Sequence, residues 1–194
     1  MFKNKKKGKI TLLALLALAI CLAVGGTLAF LFDVTDVLTN VFEPGVVTTE
    51  VTETFDGAVK KDVKIKNTGN IEAYLRASIV VNWKDAKGNV YGKYEPVEGV
   101  NYEMDLEETG WLHQDSDGFY YWTEPVLSDD EDAQNCSTGV LINSCEMIER
   151  PADLPAEYFL SVEILGSGIQ SRPEAAVEKA WPAVEVVNGM LASK

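Results

Sequence analysis

From residue 71 to residue 83 the chain alternates. Ile71, Ala73, Leu75, Ala77, Ile79, Val81 and Trp83 share one parity, while Glu72, Tyr74, Arg76, Ser78, Val80 and Asn82 take the other. Successive strand residues point to opposite faces, so this pattern predicts a long antiparallel strand with one buried face. Val59, Lys61, Val63 and Ile65 alternate with Lys60, Asp62, Lys64 and Lys66. The following Asn67-Thr68-Gly69-Asn70 tolerates positive φ, which predicts a hairpin from this piece onto the long strand. Upstream, Val46 to Phe55 is dense in Val and Thr and ends at Asp56-Gly57, as a first strand would.

Beyond the long strand, Lys87-Gly88-Asn89 turns the chain into Val90-Tyr91, and Asn101 to Leu106 alternates briefly. Asp115-Ser116-Asp117-Gly118 separates Trp111-Leu112-His113 from Phe119-Tyr120-Tyr121-Trp122, the pattern of a second hairpin that Pro125 ends. Gly139 to Ile148 and Tyr158 to Leu165 read as two more strands, with Pro151 and Pro155 in the loop between them. One helix is expected near 172–181: Ser171-Arg172-Pro173-Glu174 fits a capping box, Ala175 to Ala180 propagates well, and Pro182 stops it. Val177 and Trp181, four apart, share a face that can dock on a sheet. Seven or eight short strands and one peripheral C-terminal helix predict a jelly-roll-like, two-sheet antiparallel β-sandwich over 46–194.

The first 45 residues follow a different pattern. Lys3, Lys5, Lys6, Lys7 and Lys9 precede an apolar run from Ile10 to Val24, which ends in Gly25-Gly26-Thr27-Leu28-Ala29. Clustered positive charge stays on the cytoplasmic side while the Leu/Ala-rich stretch enters the bilayer as a helix, so 1–29 reads as an export signal. Thr27 and Ala29 are small and two apart, which places cleavage before Phe30. The competing reading is an uncleaved anchor, because Ile10 to Phe32 carries no charge and about 20 apolar residues span a bilayer. Residues 30–45 form a separate segment. Leu31, Phe32, Val34, Val37, Leu38, Val41 and Phe42 each gain about 1.5 to 3 kcal/mol on full burial, so something must cover them. They either cap their own sandwich or add a strand to a neighbour's open sheet edge.

Charge narrows the partners. Past residue 29 the chain has 12 basic and 30 acidic residues, a formal charge of −18. That field repels phosphate and excludes a nucleic-acid role. Cys136 and Cys145 remain in that part, and an even count in an exported chain permits one bridge; two reduced, buried thiols are the alternative.

No catalytic, cofactor or metal constellation is legible. A zinc site of the His-Glu-x-x-His kind needs two imidazoles on one helix face, and His113 is the single histidine. No Gly-x-Ser-x-Gly elbow accompanies it. Asp115 and Asp117 with Gly118 lack the spacing of a calcium loop and read as a turn, and Asp129 to Asp132 reads as solvated charge. Trp111, Phe119, Tyr120, Tyr121 and Trp122 suit either stacking on sugar rings or core packing, since strand alternation sends them to both faces.

Several of these segments resemble one family. The Gly25-Gly26-Thr27-Leu28-Ala29-Phe30 junction, then Thr39-Asn40-Val41-Phe42 and Gly45-Val46, look like the leader and early mature region of proteins processed by the SipW-type signal peptidase. Val63 to Arg76, with its Asn-Thr-Gly turn, is similar to a hairpin of the TasA/camelysin family. Asp117 to Trp122, and Gly168-Ile169-Gln170 before the alanine-rich helix ending at Trp181, resemble further landmarks of that family. The resemblance implies a jelly-roll sandwich outside a Gram-positive cell, on its surface or in the biofilm matrix. The partners it implies are a SipW-type signal peptidase during export and then copies of itself or related matrix proteins, with membrane contact only through an uncleaved leader.

The function expected from sequence is thus a non-enzymatic, exported surface or matrix structural protein. The rival readings are a carbohydrate- or host-binding adhesin module and an exported hydrolase without a readable motif.

Overall fold

The computed structural model describes residues 45–56 and 58–194. Among these residues, ten strands and one helix follow in chain order: β1 (Thr49–Asp56), β2 (Val59–Asn67), β3 (Ala73–Lys84), β4 (Tyr102–Leu106), β5 (Trp111–Gln114), β6 (Phe119–Trp122), β7 (Ile142–Met147), β8 (Phe159–Gln170), α1 (Glu174–Ala180), β9 (Val184–Val187) and β10 (Met190–Ser193). All ladders between these strands are antiparallel. One four-stranded sheet has the order β1-β2-β7-β4, the other β5-β6-β3-β8, and β9 and β10 form a separate pair.

The alternation of β3 decides how the two large sheets meet. Ala73, Leu75 and Ala77 are fully buried and join Val63 and Ile65 of β2 and Ile142 and Cys145 of β7 in one apolar cluster. The sheets therefore face each other across a shared core. Excluding water from each of the larger aliphatic side chains in it stabilises the fold by about 1.5 to 3 kcal/mol. The opposite face of β3 is not simply polar: Tyr74 is 2 % exposed and packs with Tyr121, Val177, Trp181, Val184 and Leu191. A second, smaller core thus holds α1 and the β9–β10 pair on the outside of the β5-β6-β3-β8 sheet.

The turn at Asn67–Asn70 is a crossover between sheets rather than the expected hairpin. β2 pairs with β1 and β7, and β3 pairs with β6 and β8. Asn67 explains the change of sheet. Its side chain is fully buried, donating to the carbonyls of Ile71 (2.9 Å) and Val126 (3.1 Å) and accepting from the Gly69 N–H (3.0 Å). A buried amide with these partners fixes the path of the chain instead of closing a two-strand loop. The hairpin lies one element earlier, between β1 and β2, where Asp56 pairs with Val59.

β2 departs from strict alternation as well. Asp62 has φ 54°, and the β1–β2 register shifts between Thr52 and Thr54, so the strand carries a bulge. On the core side of β2, Val63 opposite Ile142 is followed by Lys60 opposite Cys145. The bulge turns Lys60, whose side chain is only 11 % exposed, toward the space between the sheets and leaves Lys61 to pair with exposed Asp56.

The helix forms where expected, with a different start. Pro173 is its N-cap residue, without a side-chain capping bond, and Ser171 Oγ donates instead to Glu72 Oε2 at 2.6 Å. The serine thus ties the helix entry to the residue preceding β3. Val177 and Trp181 do share the docking face, at 0 % and 4 % exposure.

Candidate assembly edge

β8 pairs with β3 at all twelve of its positions and, among the described residues, with no strand on its other side. Its outer backbone groups are therefore a template for another strand. The remaining terminal strands are poorer templates: β4 and β5 have five and four residues, and β1 faces a bulge in its partner.

β1 and β8 close the same side of the core. At one end they touch closely, because Gly166 and Gly168 leave room there. A Cβ on Gly168 would lie 2.7 Å from Val47 Cγ1 and 2.9 Å from Leu75 Cδ2. Toward the other end the strands part and leave a cleft of about 380 Å³, in which Phe55, Lys60 and Cys145 face Phe159, Leu160 and Val162. Phe55 is 64 % exposed, Phe159 50 % and Leu165 58 %, so the rim of this edge is strongly apolar.

The charge in the cleft is internally matched. Lys60 Nζ lies 2.5 Å from Glu53 Oε2 and 5.4 Å from the centre of the Phe55 ring. Nearby, Arg150 donates to the carbonyls of Leu154, Pro155 and Tyr158 and so fixes the loop before β8. The cleft thus presents apolar surface with little unpaired charge.

Thr27, Ala29 and Phe30 at the expected cleavage site lie outside the described residues. So do Leu31, Phe32, Val34, Val37, Leu38, Val41 and Phe42 of the expected assembly segment.

Cys136 and Cys145 are separate, buried thiols. The Cys136 carbonyl accepts from Asn67 N–H at one end of β2, whereas Cys145 stands opposite Lys60 near the other end. Seven residues of strand separate those points by about 23 Å, far beyond the Cα separation of about 7 Å that a disulfide tolerates. Burial pushes both thiols up from their ordinary range, and Asp129 adds to the effect at Cys136.

The aromatic group is divided by the sheet. Tyr121 and Phe119 pack toward α1, and Trp122 and Tyr120 toward the space between the sheets. Trp111 donates its indole N–H to Val140 O at 2.8 Å. No flat outward platform of these five rings results. His113 stacks on Tyr120 with ring centres 4.3 Å apart, and its Nδ1 lies 3.4 Å from Asp115 on an exposed turn. Asp129 pairs with Lys66 at 2.9 Å, and that bond holds its carboxyl below the usual range. Among the described residues no cluster of three His, Cys, Asp or Glu could hold a metal ion. No helix among them is long and apolar enough to cross a membrane.

No family model, curated protein or solved structure matches the chain.

The open edge was the feature that sequence reasoning did not locate. Its one signal was Gly166-Ser167-Gly168, two glycines of one parity in a strand whose N-terminal part alternates normally, which marks a close approach of another backbone.

Proposed function

We propose that this protein is an exported structural component of a cell surface or extracellular matrix, and that its subunits join by strand addition along β8. The observation that carries this reading is the twelve-residue edge of β8, which has no partner strand among the described residues and is rimmed by exposed Phe159 and Leu165. In the sequence, Phe30 to Phe42 holds 13 residues with eight apolar side chains. Extended, it would run about 43 Å, against about 40 Å for β8. A donor of that length could satisfy the free backbone groups and cover the apolar rim at once. Donation to the next copy in a head-to-tail manner would build a filament, because the operation does not close on itself.

We further propose that the two sheets form a jelly roll. It is supported by the repeated passage of the chain between the two sheets, from β2 to β3, β3 to β4, β4 to β5, β6 to β7 and β7 to β8. Export rests on the lysine-led apolar leader and on the resemblance to SipW-processed proteins.

Light scattering separates the outcomes. A chain beginning at Phe30 is expected to assemble, and one beginning at Gly45 to stay monomeric. Leu165→Lys, which places a charge on the open edge, should slow assembly of the longer chain. Equal scattering from both chains overturns the strand-addition reading. Mass spectrometry of culture medium tests export independently, the expected species beginning at Phe30.

A further inference from the structure

The chain holds seven tyrosines, and the fold sorts them by access to solvent. Tyr74, Tyr102 and Tyr121 are buried in the two cores, and one face of Tyr120 is covered by the His113 imidazole. The other three, Tyr91, Tyr94 and Tyr158, are half-buried and meet at one place. They come from two loops, one after β3 and one before β8. The ring centres of Tyr91 and Tyr158 lie 4.9 Å apart with their planes tilted by 50°, and Tyr94 stands 5.8 Å from Tyr91. Rings at these separations are in contact.

Two features set this cluster apart from ordinary packing. The first is that the backbone holds both members of the closer pair. Tyr91 N–H donates to Trp83 O at 2.8 Å, Tyr158 N–H donates to Pro155 O at 3.0 Å, and Arg150 donates to the Tyr158 carbonyl. Two rings kept in contact in this way react with each other faster than with anything that must diffuse to them.

The second is a base at the entrance. The Tyr94 hydroxyl donates to the carboxylate of Asp153, an exposed residue that also lies 3.3 Å from Lys93 Nζ. A phenol loses an electron readily only when its proton can leave with it, and this carboxylate is placed to take the proton.

We propose that Tyr91 and Tyr158 are a site of oxidative cross-linking, served by a one-electron oxidant of the haem peroxidase class with hydrogen peroxide, and that Tyr94 with Asp153 is the entry point. Tyr94 gives an electron to the oxidant and its proton to Asp153. It then recovers an electron from Tyr91 and the proton from Asp153, and the phenol proton of Tyr91 goes to water. The first oxidation passes on in the same way to Tyr158, and a second leaves Tyr91 as a radical too. A carbon–carbon bond forms between the ring carbons ortho to the two oxygens. Each of those carbons then loses its hydrogen as a proton while its oxygen takes one up, which restores both phenols. The pair has lost two hydrogen atoms in all. One peroxide accepts the two electrons and two protons, its O–O bond breaks, and two waters leave.

The product ties the end of β3 to the start of β8, the two strands of the longest ladder. It is a covalent staple of the kind that the separated thiols of Cys136 and Cys145 do not provide. Closing the loop from 91 to 158 restricts the unfolded chain and so stabilises the folded one.

The test treats the full chain with a haem peroxidase and equimolar hydrogen peroxide. The expected product is a monomer lighter by two hydrogen atoms, with dityrosine fluorescence, a raised urea midpoint and a digest in which the peptides of Tyr91 and Tyr158 are joined. Tyr158→Phe keeps the ring and should abolish this product, whereas Tyr120→Phe should leave its yield unchanged. Asp153→Asn, at an exposed position that spares the fold, should slow its formation by about tenfold or more. A digest that joins other tyrosines, covalent dimers in place of the lighter monomer, or no loss of hydrogen overturns the cross-linking site. Coupling of Asp153→Asn at the unaltered rate overturns the entry point.

Discussion

The guanidinium of Arg76 lies 4.8 Å from the ring centre of Trp181, and this contact joins the large sheet to the helix that covers it. Phe119 packs on the same guanidinium at 3.8 Å. Arg76 Nε donates to Ser167 Oγ, and its Nη1 to the Tyr121 hydroxyl, which in turn donates to Asp117. One residue of β3 thereby links β8, β6 and the residue ending α1. Arg76→Ala should lower unfolding free energy by about 2 kcal/mol, as the lost ring contacts and hydrogen bonds together predict. Arg76→Lys should recover less than half, because an ammonium lacks the planar fork and stacks less well. Urea denaturation followed by tryptophan fluorescence checks both.

Asn67 offers a sharper test of how the chain changes sheet. Replacing it by Asp turns a donor that serves two carbonyls into a buried anion facing them. The expected loss is about 3 kcal/mol or more at neutral pH. The loss should shrink as the pH falls and the aspartate is protonated. A pH-independent loss would mean that the amide's role is shape alone.

The thiols should be silent in the folded protein. Cys145 belongs to the core and Cys136 is 2 % exposed, and burial disfavours the thiolate at both. Alkylation at pH 8 should leave both unmodified until denaturant is added, after which both react. Non-reducing and reducing electrophoresis should give the same mobility.

Acid should destabilise the fold. Lys66 lowers the Asp129 carboxyl, Asn89 lowers Asp85, and Asn135 lowers Asp132, all through hydrogen bonds. For such groups the unfolded chain takes up protons at a higher pH than the native one. Their stabilisation is present above the ordinary carboxyl range and is lost as pH falls through about 4 and below. The urea midpoint should therefore drop below about pH 4, and Asp129→Asn should make that drop shallower.

Sequence periodicity located β3, the β5–β6 hairpin, β7 and the docking face of the helix, because each keeps its alternation or its four-residue spacing intact. It misread β2 for a specific reason. A bulge at Asp62 reverses the facing of the residues before it, and no local composition announces that reversal when lysines occupy both parities. It also assigned Asn67–Asn70 to a hairpin, since a turn's tolerance for positive φ says nothing about which strands it joins. The β9–β10 pair was legible but unread: Asn188-Gly189 is a two-residue hairpin signal, and both residues have positive φ, at 54° and 79°. The edge of β8 is a property of which strand has no neighbour among the described residues, and that depends on the whole topology.

The ladder between β3 and β8 has a mechanical meaning. Its hydrogen bonds run across the strands, so a pull along them strains twelve residue pairs together instead of peeling one at a time. A tether built on that pair would stretch little and then yield abruptly, the response of a cable rather than a spring.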